Sequence, residues 1–80
     1  MRHELKCWPE FFRPMKLGVK RFDIRKDDRG FKVGDMVVQL EWDPKTGKHT
    51  GARLEFKVIY LLRHEDFEGI APGYVVMGLQ

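Results

Sequence analysis

The chain has 80 residues, enough for one domain over residues 1–80 and too few for two; its longest apolar run, Val58 to Leu62, is far below the roughly 20 residues of a spanning helix, which argues against membrane insertion. Cys7 is the only cysteine and His3, His49 and His64 are scattered, so neither an intramolecular disulfide nor a zinc-ligand spacing is available and packing alone must hold the fold. The net charge of +3 is uneven: residues 1–33 carry ten Lys/Arg against five Asp/Glu, whereas residues 34–80 carry five against seven.

In chain order, His3, Leu5 and Cys7 alternate with Glu4 and Lys6 and read as a short first strand. Trp8-Pro9 opens a helix, with proline at a tolerated N-terminal position. Trp8, Phe11, Phe12 and Met15 then form one stripe, expected to face the core. Pro14 works against that helix by removing a backbone donor, so the expectation is a short or kinked helix ending by Leu17 with Gly18 as its cap. From Val19 to Lys26 the period becomes two: Lys20, Phe22, Ile24 and Lys26 share one face, and Arg21, Asp23 and Arg25 the other.

Asp27 to Phe31 reads as a mostly polar turn, and Val33-Gly34-Asp35 as a tight one. Met36 to Trp42 is a strand, and Asp43 to Lys48 a long hairpin loop. Ala52 to Arg63 is the longest strand, with Leu54, Phe56, Val58 and Tyr60 on one face. His64 to Pro72 is a loop, and Gly73 to Leu79 a closing strand. The sum is a mostly β chain of about five strands with one short N-terminal helix. Antiparallel strands joined by short links favour a small barrel, closed or half open, over a parallel sheet. The polar start Met1-Arg2-His3-Glu4 shows no secretory signal, and a lone cysteine fits a reducing, cytoplasmic setting.

The stretch Gly18-Val19-Lys20-Arg21-Phe22-Asp23-Ile24-Arg25 carries the most chemistry. It sets a lysine at a helix-to-strand junction, then an acid and an arginine two apart on one strand face. Such a face can hold a charge pair while leaving guanidinium donors for a phosphate or a base edge. Gly18, Lys20, Asp23 and Arg25 match the G-x-K-x-x-E-x-R signature of ASCH domains, with Asp where Glu is usual. His3 to Lys6, Pro9 to Phe12, Ile24 to Arg29, Phe31 to Asp35, Thr50-Gly51 and Gly73 to Val76 extend the likeness over nearly the whole chain. The sequence thus resembles a short, stand-alone bacterial and phage branch of the ASCH family, within the PUA-like superfamily. The resemblance implies a PUA-like barrel with a cleft between the helix, the motif strand and neighbouring loops, and RNA or a nucleotide as its ligand. Some small relatives hydrolyse N4-acetylcytidine with the motif lysine, a threonine and a glutamate. Lys20 corresponds to the lysine, but Asp23 fills the threonine's place.

Each of these residues has a structural reading beside the functional one. Lys20 is a surface lysine or an anion ligand. Asp23 and Arg25 orient each other. Arg25-Lys26 with Arg29 is a solvated turn or the phosphate-reading edge of the cleft, with Asp27 and Asp28 offsetting part of its charge. Trp8 belongs to the core stripe. Trp42 is a core cap or a stacking platform. His3 is a strand histidine with a structural role or a member of the cleft, and Cys7 a small buried hydrophobe. Two function classes follow. The first is an RNA- or nucleotide-binding module using Lys20, Asp23, Arg25, Lys26, Arg29, Trp42 and His3, without cofactor or metal. The alternative is a small amidohydrolase acting on a modified nucleoside through Lys20 and Asp23. A protein-interaction module is a weaker third reading.

Overall fold

A computed structural model describes residues 1–80. The strands are β1 (Arg2–Cys7), β2 (Phe22–Lys26), β3 (Met36–Asp43), β4 (Lys48–Arg63) and β5 (Tyr74–Leu79), with one helix, α1 (Pro9–Lys16), between the first two. They form a single five-stranded sheet in the order β1-β3-β4-β5-β2. β4 is 16 residues long and pairs with β3 through its first part and with β5 through its last, so it links the two halves of the sheet. Irregularities between Leu40 and Trp42, and between Val58 and Tyr60, interrupt the ladders on either side of it. Such interruptions bend and twist a strand.

The expected barrel does not close. β1 and β2 are the two edges of the sheet and do not pair with each other. Nor is every pair antiparallel: β1 runs parallel to β3, with His3 opposite Val37 and Leu5 opposite Gln39. A parallel pair needs a long connection, and here α1, β2 and the loop after it all lie between β1 and β3 in sequence. The hairpin expected over Asp43–Lys48 is shorter than its sequence implied, because β3 extends to Asp43 and β4 begins at Lys48. Tyr60 does not share the inward face of Val58. The irregularity between them shifts the alternation, leaving Tyr60 outward and Leu61 packed on the core.

The core gathers Leu5 and Cys7 of β1, Phe12 and Met15 of α1, Phe31, and inward residues of β3, β4 and β5. The helix begins where Pro9 needs no donor, carries Glu10 in its first turn and Arg13 and Lys16 in its last. Pro14 lies within the helix without ending it, at the loss of the backbone donor that would reach the Glu10 carbonyl. The stripe is narrower than its spacing implied: Phe12 and Met15 are buried, whereas Trp8 and Phe11 are 49% and 50% exposed. These two turn toward the gap between β1 and β2.

At the far end of β1, His3 is buried against the edge of Phe31, and its Nε2 lies 2.9 Å from Asp35 Oδ2. The same carboxylate accepts from the backbone N–H of Lys32 and from the amino group of Met1. The hydrogen bond with His3, reinforced by these donors, lowers the Asp35 pKa to about 2.

Two predictions follow from this packing. Phe12→Ala removes a buried ring and is expected to cost about 3–5 kcal/mol in denaturant unfolding, against much less for Phe11→Ala. Equal losses at the two positions would contradict the placement of the helix. A carboxyl group whose pKa is depressed by folding stabilises the native state above its unfolded value near 3.8, and that stability is lost as the pH falls through about 2. Stability should therefore drop on acidification across that window, and Asp35→Asn should flatten the drop. An unchanged slope in Asp35→Asn would exclude Asp35 as its source.

Candidate functional site

The functional residues gather at the gap between the two edge strands. Their placement starts at the helix end, where Gly18 adopts a φ of +79, a conformation glycine takes without a Cβ penalty. The chain turns back there, and the Pro14 carbonyl accepts from both the Val19 and Lys20 N–H groups. This brings the Lys20 side chain over the start of β2. Its Nζ stands 3.8 Å from Asp23 Oδ1 and 5.0 Å from the centre of the Phe22 ring, with the Phe11 ring centre at 5.8 Å. Strict strand alternation would send Lys20 and Asp23 to opposite faces. They meet because Lys20 precedes the strand, where alternation does not apply.

β2 inverts the usual hydropathy rule. Asp23 is 8% exposed and faces inward with Arg25, while Phe22 and Ile24 point outward. The inward charges pair with one another and with Gln39, which is completely buried on β3. Asp23 Oδ2 accepts from Arg25 Nε at 2.6 Å and from Gln39 Nε2 at 3.0 Å. Arg25 Nη2 in turn donates to Gln39 Oε1 at 3.2 Å and to the Lys6 carbonyl at 2.5 Å. Four residues later, Arg29 Nη1 donates to the Glu4 carbonyl at 2.8 Å. The Glu4 and Lys6 carbonyls lie on the edge of β1 that β3 does not use. Two guanidinium groups therefore bridge the gap that backbone pairing leaves open.

Three connected hollows run along this seam. One, of about 380 Å³, is lined by Phe11, Lys20, Phe22, Asp23 and Ile24. A second, of about 290 Å³, shares Phe11, Asp23 and Ile24 and adds Lys6, Cys7, Trp8 and Arg25. The third, of about 320 Å³, continues past Arg25 to Lys26, Asp28, Arg29 and Tyr74. Burial pushes the Cys7 thiol up from its ordinary pKa, and the nearby Asp23 carboxylate adds to the effect, while Lys20 and Arg25 oppose it. Cys7 is thus a packed thiol at the floor of the seam.

Lys20, Asp23, Arg25, Lys26 and Arg29 are therefore brought together along one trough. Two other candidates are not. His3 is committed to Asp35 and lines none of these hollows. Trp42 packs edge-on to His49 and lies under the Lys6 ammonium, 4.0 Å from its ring centre, also away from the trough lining. Fewer guanidinium donors are left for a ligand than the spacing implied, since Arg25 spends Nε and Nη2 inside the protein and Arg29 spends Nη1. Asp27 does not offset the charges of this edge, because Arg63 pairs with it at 2.6 Å. Sequence reasoning missed Gln39. Its signal was a lone amide inside the apolar run Val37-Val38-Gln39-Leu40.

Removing Arg25 strands a buried carboxylate, a buried amide and an edge carbonyl together. Arg25→Ala is expected to destabilise the fold by about 3–5 kcal/mol in urea unfolding, and Arg25→Lys to restore little, since an ammonium lacks the fork that serves three acceptors. A loss below about 1 kcal/mol would place this cluster among ordinary surface pairs.

With the geometry in place, comparison with known proteins locates the chain. An uncharacterized 12.9 kDa protein in the GpA 3′ region of Escherichia phage P2 is 34% identical over 56 residues, which cover 70% of this chain and 50% of the phage protein. The chain therefore spans about half the length of that curated relative. A family model described as a domain of unknown function, DUF3850, matches residues 2–79, and the chain belongs to that family.

Proposed function

We propose that this chain is a cytoplasmic RNA- or nucleotide-binding module, of the ASCH and PUA-like kind that its sequence resembles, with the seam between β1 and β2 as its ligand site. One observation carries the reading. Lys20 and the outer oxygen of Asp23 form a donor and an acceptor at the floor of a hollow whose walls are the half-exposed rings of Phe11 and Phe22. A base offers a ring to such walls and polar edges to such a floor. Asp23 Oδ2 is taken by Arg25 and Gln39, but Oδ1 has only the more distant Lys20 ammonium beside it. Lys26 and the unspent nitrogens of Arg29 line the continuation of the trough and suit a phosphate. The reading calls for no cofactor.

The hydrolytic alternative asks for a threonine and a glutamate beside Lys20. Neither residue type lines the two hollows that hold Asp23, and the thiol there is held back by burial. Binding is accordingly the better-supported function.

Titration of nucleoside monophosphates and single-stranded RNA at low salt tests it. Lys20→Ala should weaken binding roughly tenfold or more and reduce the slope of log affinity against log salt by about one, with the fold intact. Failure of every such ligand to bind at low salt would remove the proposal. Release of acetate from N4-acetylcytidine, abolished by Lys20→Ala but not by Arg29→Ala, would replace it with the amidohydrolase.

A further inference from the structure

The solvent face of the β4–β5–β2 half of the sheet is apolar where a solvated sheet face would carry polar residues. In β2 the outward residues are Phe22, Ile24 and Lys26; in β5, Tyr74, Val76 and Gly78; in β4, Tyr60 and Leu62. Tyr60 is 63% exposed and Tyr74 43%. No acidic side chain stands among these positions, and Lys26 closes one end while the Lys20 ammonium lies against Phe22 at the other.

The register gives this face a particular shape. Phe22 and Tyr60 are both paired with Gly78, one from each side. Two strand spacings separate their backbones by about 9–10 Å, and the half-exposed Ile59 side chain, beside the irregularity in β4, also lies next to this glycine. A Cβ added at Gly78 would lie 3.3 Å from the Tyr60 Cβ and 3.6 Å from the Ile59 Cγ1, so the glycine leaves room for these two side chains.

We propose that this face is a stacking platform for single-stranded RNA leaving the seam, with bases laid on the exposed rings of Phe22 and Tyr60 and the strand continuing toward Tyr74 and Lys26. The proposal rests on the RNA-binding reading and deepens it. Continuity argues for this occupant, since Phe22 and Ile24 wall the seam as well, and Tyr74 and Lys26 line its far hollow. Charge argues for it too. A polyanion with ring faces complements both the aromatic side chains and the flanking lysines. A second copy of this face would bring the same cations and no carboxylate to meet them.

The test compares uridine monophosphate with a labelled oligouridine of about ten nucleotides by fluorescence anisotropy, long enough to occupy one such surface. Tyr60→Ser should lower oligouridine affinity by roughly five- to a hundredfold and leave monophosphate affinity unchanged. Tyr60→Phe should retain the affinity, and Val33→Ser, an exposed apolar change elsewhere, should leave it alone. Oligouridine binding no tighter than monophosphate, or insensitive to Tyr60→Ser, would overturn the platform while leaving the seam as a nucleotide site. Loss of a concentration-dependent dimer in Tyr60→Ser, with unchanged RNA affinity, would reassign the face to self-association. If neither ligand binds wild-type protein, the platform and the seam reading fall together.

Discussion

Asp23 Oδ2 accepts two hydrogen bonds from inside the protein, and the geometry of the seam depends on both. Arg25 is the first donor and Gln39 the second, so a carboxylate on β2 is tied to an amide on β3 across the interior. Arg25 then carries the linkage outward to the Lys6 carbonyl on β1. β2, at one edge of the sheet, is thus joined through side chains to the β1 and β3 pair at the other. A buried carboxylate without such partners would be strongly destabilising, so the cluster holds only as a unit.

That arrangement explains how an open sheet can present a defined site. Backbone pairing between β1 and β2 would close the barrel and seal the interior. Guanidinium bridges instead leave width between the strands, and the half-exposed rings of Trp8, Phe11 and Phe22 stand around the opening. A rigid polar floor with apolar walls is the usual build of a small-ligand site, because the walls supply contact area and the few polar atoms supply orientation. Both sides of β2 are drawn into this design. Its charged face organises the seam, and its apolar face continues onto the outer surface.

Much of this was legible in the residues, for identifiable reasons. The mostly β character, the helix from Pro9 and the turn at Gly18 follow from local patterning, which the chain obeys. The grouping of Lys20, Asp23 and Arg25 was legible because they lie within six residues of one another. Non-local facts were not. The parallel pairing of β1 with β3 joins segments more than thirty residues apart, and nothing local encodes it. The burial of Asp23 and exposure of Phe22 run against hydropathy, and make sense only once Gln39 and Arg25 are seen to satisfy the carboxylate. Tyr60 was assigned to the wrong face because an irregularity in a ladder has no signature in alternation alone. His3 was drawn into the cleft by its place on β1, whereas Asp35, distant in sequence, takes it as a partner.

The central claim is that the seam held open by Asp23, Arg25 and Gln39 receives the ligand. Backbone amide shifts in a nitrogen-15-labelled protein, followed during titration with uridine monophosphate, test it most directly. The account predicts that the largest changes fall on Phe11, on Lys20 through Ile24 and on Arg25, with Arg2, His3 and Asp35 unmoved. Changes centred on the Met1–Asp35 end, or no saturable change at any residue, would contradict it.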